Sequence, residues 1–359
     1  MYNVPLSFYN LDPLSFNDGT ALRLALQESV LSNKNTTWEV ATQRNIGIDM
    51  DLFGSKVSVI ADYFSNLRDD ILWKRNASVP ASAGVTLPRE NIGKTKNNGF
   101  DFSIDYRNNV GDISFNIGLN GGYAKSEILF WDEAPGAPEY QRSTGAPINA
   151  KTYYNAIGIF RDQNHVDSYP HLSNARPGDV IFEDVNADGA IDAKDMVRSD
   201  KTNIPRWTGG LNLGLRFKGF DFSALVQAAA GAQIYIQTES GTIGNFLNSF
   251  YETRWTEANP SSTTPRTFDR GAEYWASLQN TYWLHETDYV RLKNVELGYS
   301  LPSTLLSRAR IQGLRIYVNA YNLLTHSPDM EDFDPEMPEG NGQEYPLQKI
   351  INTGISLTF

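Results

Sequence analysis

The last nine residues restrict this chain more than any other stretch. From Ile351 to Phe359 the side chains alternate without a break. Ile351, Thr353, Ile355, Leu357 and Phe359 fall on one face, and Asn352, Gly354, Ser356 and Thr358 on the other. A two-residue period is that of a β-strand, here with one apolar and one polar face. A strand of a soluble sandwich would run on into a polar tail, whereas this one stops on a bare aromatic. That ending predicts the closing strand of a membrane barrel, with Phe359 in the interfacial aromatic girdle.

The same alternation recurs along the chain. Phe100, Phe102, Ile104 and Tyr106 alternate with Asp101, Ser103, Asp105 and Arg107, and Ile113, Phe115, Ile117 and Leu119 with Asp112, Ser114, Asn116 and Asn120. Ile46, Ile48, Met50 and Leu52 lead through Gly54-Ser55 into Val57, Val59, Ala61 and Tyr63, which predicts a hairpin with a two-residue connection. A further hairpin pairs the run from Trp207 to Phe217 with that from Phe220 to Val226 and turns at Lys218-Gly219. Between Tyr289 and Leu301 the alternation slips by one residue, which predicts a bulge near Lys293-Asn294. Tyr2 to Leu11 reads as a weak strand, and Ala21 to Val30 as a strand or a short helix.

The connections sort by length. Taken from the C-terminus they run long (325–346), medium (302–312), long (237–287), tight (218–219), very long (131–204), tight (108–111), long (68–96) and tight (54–55). Tight turns therefore gather at one end of the sheet and long loops at the other, the asymmetry of an outer-membrane meander and not of a Greek-key sandwich. The predicted fold is all-β: an antiparallel up-and-down transmembrane β-barrel, of which residues 1–359 supply about eleven strands, half of the 22 in the plugged outer-membrane transporters. Eleven strands alone would leave an open edge in lipid with unsatisfied backbone groups.

Composition narrows the function. The 359 residues carry a formal net charge of -11, which argues against nucleic acid as a partner because phosphate binding needs clustered Lys and Arg. Cysteine is absent, so disulfides, Cys-zinc sites and thiol catalysis are excluded. No apolar run reaches the roughly eighteen residues of a transmembrane helix. The start, MYNVPLSFYNLDP, lacks the basic and apolar regions of a signal peptide. A barrel protein must be exported, so the native N-terminus is expected to lie upstream.

The sharpest local motif runs from Asp184 to Asp195. Asp184, Asn186, Asp188, Asp192 and Asp195 stand at positions 1, 3, 5, 9 and 12, with Gly189 at 6 and the Ala190 carbonyl at 7. That spacing suits a hard cation such as calcium, in a structural role within a long outer loop. It departs from the EF-hand in having Asp195 where a longer Glu would bind bidentately, and in lacking a clear flanking helix pair. The alternative is an acidic solvated turn. Aromatics cluster ahead of the C-terminal strands, and Tyr274, Trp275, Tyr282 and Trp283 are candidate platforms for substrate rings, against mini-core packing or girdle placement. Glu331, Asp332, Asp334 and Glu336 read as a solvated loop in preference to paired catalytic carboxylates. His165, His171, His285 and His326 lack metal-site spacing, and no nucleophile elbow, Walker A or dinucleotide fingerprint is present, so no enzyme is expected.

Several segments resemble the SusC/RagA family of TonB-dependent outer-membrane receptors. They are TWEVATQRNIGIDMDLF, the Gly178-Asp179 approach to DVNADGAID, FKGFDFSALVQAAAG, YVRLKNVELGYSLP, LRIYVNAYNLLT and the FDPE of Phe333 to Glu336. The matches are in order, span nearly the whole chain and reach the terminal Phe. They correspond to the C-terminal barrel portion, with signal peptide, TonB box and plug upstream. The resemblance implies import of oligosaccharides or peptides across the bacterial outer membrane, with a SusD-like lipoprotein as a lid and the TonB complex acting through the upstream part. Two other readings stay open: a soluble calcium-stabilised all-β carbohydrate-binding module, and a truncated, non-functional receptor fragment.

Under the barrel reading, Asp101, Asp105, Arg107, Asn116, Asn212 and Arg216 face the lumen, and Phe100, Phe102, Phe115 and Leu213 face lipid.

Overall fold

A computed structural model of the chain describes residues 14–16, 21–23, 33–75, 87–238, 246–269, 274–306 and 311–359. Among them, one antiparallel sheet holds nine strands laid side by side in chain order. They are β1 (Val40–Leu52), β2 (Val57–Lys74), β3 (Arg89–Val110), β4 (Ile113–Phe130), β5 (Trp207–Phe217), β6 (Phe220–Ala230), β7 (Tyr289–Ser300), β8 (Gly313–His326) and β9 (Ile350–Thr358). The expected meander is present, and its open edges are β1 and β9. A separate hairpin joins Leu14–Phe16 to Ala21–Arg23, so the described start of the Ala21 to Val30 segment is a strand. The Tyr2 to Leu11 segment lies outside the described residues.

Register turns the alternation of single strands into a continuous surface. Leu52, Val57, Tyr106, Ile117, Leu213, Ala224, Val295, Ala320 and Ile351 are partnered in turn across all nine strands, an unbroken apolar row. Much of this face is open, with Ile117 42% and Ile351 66% exposed. Water does not tolerate so extensive an apolar surface, and lipid does. Aromatics mark the edges of the band. Phe100, Tyr123 and Trp207 cluster with ring centroids 4.6 to 6.0 Å apart, and Phe220 lies 4.5 Å from Tyr299 near the opposite end. Trp207 and Phe217 end the same eleven-residue strand. They are roughly 33 Å apart along it, or about 25 Å in height at a tilt of about 40°, the thickness of an outer-membrane apolar band.

The connections differ in detail from the expected ones. The first turn takes four residues, Phe53–Lys56, because Leu52 pairs with Val57. The second takes two, Gly111 and Asp112, since β3 runs on to Val110. At Lys218-Gly219 both residues have positive φ, 46° and 88°, the backbone that a two-residue hairpin needs to match strand twist. The described ends of the expected 68–96 loop are strand: β2 extends to Lys74 and β3 starts at Arg89, with register shifts around Ile71. A ladder needs backbone partners, not apolar alternation, and here ion pairs Lys94–Asp69 and Arg75–Glu90, each 2.9 Å, line its flanks. The bulge on β7 falls at Lys293, skipped between Leu292 and Asn294 against both neighbours.

The two longest connections fold together into a cap at the long-loop end. Short strands pair within them, Thr152–Tyr154 with Met196–Arg198, Ala156–Ile159 with Val180–Phe182, and Gln233–Tyr235 with Leu284–Glu286. Their shared core contains Tyr154, Phe182, Phe250, Phe268, Trp275 and Trp283.

Candidate functional site

The 184–195 loop folds tightly around its own amides. Asp184 accepts hydrogen bonds from the Asp188 and Gly189 amides (3.2 and 2.9 Å), and Asp188 accepts one from Ala190 (3.1 Å). Fully buried Asp195 accepts from the amides of Val185 (3.0 Å), Asn186 (3.4 Å) and Asp192 (2.8 Å), and so ties the two ends of the loop together. The Lys194 ammonium lies between Asp188 and Asp192, 3.3 and 3.2 Å from their carboxylates. The Ala190 amide, the Asn186 side chain and Lys194 together hold the Asp188 carboxyl below the usual carboxylate range. Among the described residues no three His, Asp or Glu side chains converge as a ready-made metal site.

The candidate sugar platforms separate. Trp275 and Trp283 are 0% and 2% exposed, stacked 6.2 Å apart at 7°, with Phe268 edge-on to both. This is a correction: both are core residues of the cap, and no ring face of either is open to a sugar. They are buried because a long loop with little regular structure needs large apolar side chains to offset its ordering entropy. Tyr282 is half-buried at the edge of this core and lines a cleft on its surface. Tyr274 lies in the short helix Tyr274–Ser277.

The acidic run is not simply solvated either. Asp334 and Glu336 converge on Arg291 of β7, whose side chain is completely buried, at 2.8 and 2.6 Å. Gln227 on β6 joins Glu336 and the Tyr289 hydroxyl (3.3 and 2.8 Å). Asp334 is half-buried, while Glu331, Asp332 and the outer part of Glu336 stay exposed. Farther down the same face, Arg315 of β8 bridges Asp221 and Glu296, and Asn319 and Asn352 extend the network to β9. Gly298 permits this, since a Cβ there would overlap the Arg315 guanidinium. The faces assigned to Asp101, Asp105, Asn212 and Leu213 agree with register, for Asp105 and Asn212 are both partnered with Gly118 on the polar side. The roles of Arg291 and Arg315 were not read from the sequence. The one signal was a charged residue at a polar position of each strand.

The family described as TonB dependent receptor-like, beta-barrel matches residues 5–323. This chain belongs to the TonB-dependent receptor β-barrel family. TonB-dependent receptor P3 of Formosa agariphila is 30% identical over 91% of this chain and 33% of that protein. TonB-dependent receptor SusC of Bacteroides thetaiotaomicron is 25% identical over 91% of this chain and 32% of its own length. Among solved structures, the RagAB peptide transporter matches with a TM-score of 0.65 and 25% identity, covering 98% of this chain and 39% of that one. The chain thus spans about a third of the length of the curated relatives it matches.

Family membership and the lipid-suited outer face make this an outer-membrane β-barrel chain of the SusC/RagA kind. They retire the soluble carbohydrate-binding module. The relatives are named receptors, not enzymes. No helix among the described residues is long and apolar enough to cross a membrane, and a barrel crosses with strands instead.

Proposed function

We propose that this chain forms part of an outer-membrane receptor that imports oligomeric nutrients, oligosaccharides or peptides, driven by TonB and capped by a SusD-like lipoprotein. The observation that carries the reading is the pairing of a charged and amide-lined inner wall, centred on Arg315, with a folded cap of long loops over one end. A polar wall lets a hydrated oligomer pass without binding it tightly, and a folded cap offers a surface for both ligand and lid. The cap end is then the cell-surface end. No covalent step on the substrate is involved.

In the same reading, calcium occupies the 184–195 loop, held by Asp184, Asn186, Asp188, the Ala190 carbonyl, Asp192 and Asp195, with the Lys194 ammonium displaced outward. Its role is structural, fixing a cap segment that has few apolar contacts of its own.

The test is fractionation of cells of the source bacterium with an antibody to the C-terminal segment, followed by uptake assays in a deletion strain. A heat-modifiable outer-membrane band much larger than 40.2 kDa, co-purifying with a surface lipoprotein, and lost uptake of an oligosaccharide or peptide would support import. A band near 40.2 kDa with no uptake defect would overturn it and favour a non-functional fragment.

A further inference from the structure

A second feature of the cap is not absorbed by the wall or the loop. A cleft of about 340 Å³ opens beside the top of β8. Its walls are the helix Asn248–Thr253, the strand Leu284–Glu286 and residues 328–333. Phe250, Tyr282 and Phe333 give it an aromatic lining, and Ser249, Thr253 and Thr264 bring hydroxyls. Three carboxylates, Asp329, Glu331 and Asp332, face no lysine or arginine among the described lining residues.

The internal partners leave charge over. Asp329 is engaged by the Glu286 amide (2.7 Å) and lies 3.8 Å from His285. Asp332 accepts one hydrogen bond from the Ser249 hydroxyl (2.6 Å), and Glu331 has no hydrogen bond or ion pair among the described residues. A separate observation points to a ligand. Trp283 lines the same cleft, is 2% exposed, and its indole N–H is buried with no hydrogen-bond partner. A buried donor left unpaired costs about 1–3 kcal/mol, and a ligand oxygen would recover that.

We propose that this cleft binds a primary ammonium group carried by an oligomeric ligand, Glu331 and Asp332 receiving the charge and the Trp283 indole a neighbouring ligand oxygen. The ammonium can belong to an amino sugar or to a lysine side chain. Anionic oligomers are excluded by like charge. The inference rests on the import reading for its physiological setting.

The test uses the receptor purified from its native outer membrane, with calorimetric titration of a glucosamine trimer, its N-acetylated counterpart, an α-N-acetylated trilysine amide and the same peptide with its side-chain amines acetylated. At least one cationic ligand is expected to bind about tenfold or more tightly than its neutral counterpart, the difference that one charge-assisted hydrogen bond confers. The better of the two cationic ligands identifies the source of the ammonium. The double variant Glu331→Gln, Asp332→Asn should erase the difference. Equal binding of charged and neutral partners by the native receptor, or discrimination that survives in the variant, would overturn the proposal. Should the variant fail to assemble, the loss of the native receptor's discrimination in high salt decides. The two readings fail separately: charge discrimination without an uptake phenotype sinks import alone, and uptake without discrimination sinks this site alone.

Discussion

Arg291 of β7 closes two hydrogen bonds of 2.8 Å on the carboxylate of Asp334, 43 residues later in the chain. Its remaining Nη donates to Glu336 at 2.6 Å and its Nε to Thr325 at 3.1 Å. The guanidinium is fully buried, so this pairing ties the last long connection to the inner wall. Removing the Arg leaves Asp334 without its counter-charge and Glu336 with only the half-exposed Lys293, 3.5 Å away. Arg291→Ala should therefore cost about 3–5 kcal/mol, and Arg291→Lys should recover only part because one ammonium cannot reach Asp334, Glu336 and Thr325 at once as the three guanidinium nitrogens do. The temperature at which the folded band of the receptor converts to the unfolded one reads this directly.

Leu213 sits in the apolar row and Asn212 on the opposite face, partnered with Gly118 and Leu225. Leu213→Arg should destabilise the barrel by about 2–4 kcal/mol near the membrane midplane, while Asn212→Arg should be tolerated. Equal losses in a lipid-vesicle unfolding titration would refute the facing assignment.

Trp275 is a core residue of the cap, 0% exposed and in ring contact with Phe268, Tyr282 and Trp283. Trp275→Ala should cost about 3–5 kcal/mol of cap stability through lost contacts and a residual cavity. Limited proteolysis should then cut within the cap and leave the strands intact. A variant cap as resistant as the native one would show that the stacked pair is not its keystone.

Calcium should protect the 184–195 loop from proteolysis, and Asp184→Asn should abolish the protection. Lys194→Ala should raise calcium affinity, because it removes the ammonium that occupies the space between Asp188 and Asp192. Isothermal titration of the two variants separates the cases, and an unchanged heat signal in both would remove calcium from the loop.

Burial pushes the Asp329 carboxyl up, but His285 and the Glu286 amide outweigh it and leave the group below the usual carboxylate range. A carboxyl with a lower pKa in the folded state stabilises above its unfolded value of about 3.9, and that contribution is lost as pH falls through the folded value. The docking of residues 327–333 on the Leu284–Glu286 strand should thus hold at neutral pH and loosen only below about pH 4. Near-ultraviolet circular dichroism of the cap should show that acid step in the native receptor and not in Asp329→Asn.

The strands, their order and their facing were legible in the sequence alone. Each follows from a local rule: a two-residue period, set by lipid on one side and water on the other, needs no knowledge of distant residues. The slip at Lys293 was visible for the same reason, and the spacing of the 184–195 loop was equally local. What tertiary structure decided is everything that depends on where a side chain ends up. The extension of β2 and β3 beyond their apolar stretches rests on backbone pairing, which carries no side-chain period. The burial of Trp275 and Trp283 depends on two loops meeting across the cap, and a Trp in sequence looks the same whether it stacks on a ligand or on another Trp. Asp334 and Glu336 read as solvated until Arg291 is placed beneath them, because an ion pair between residues more than forty positions apart leaves no mark on the local pattern of either.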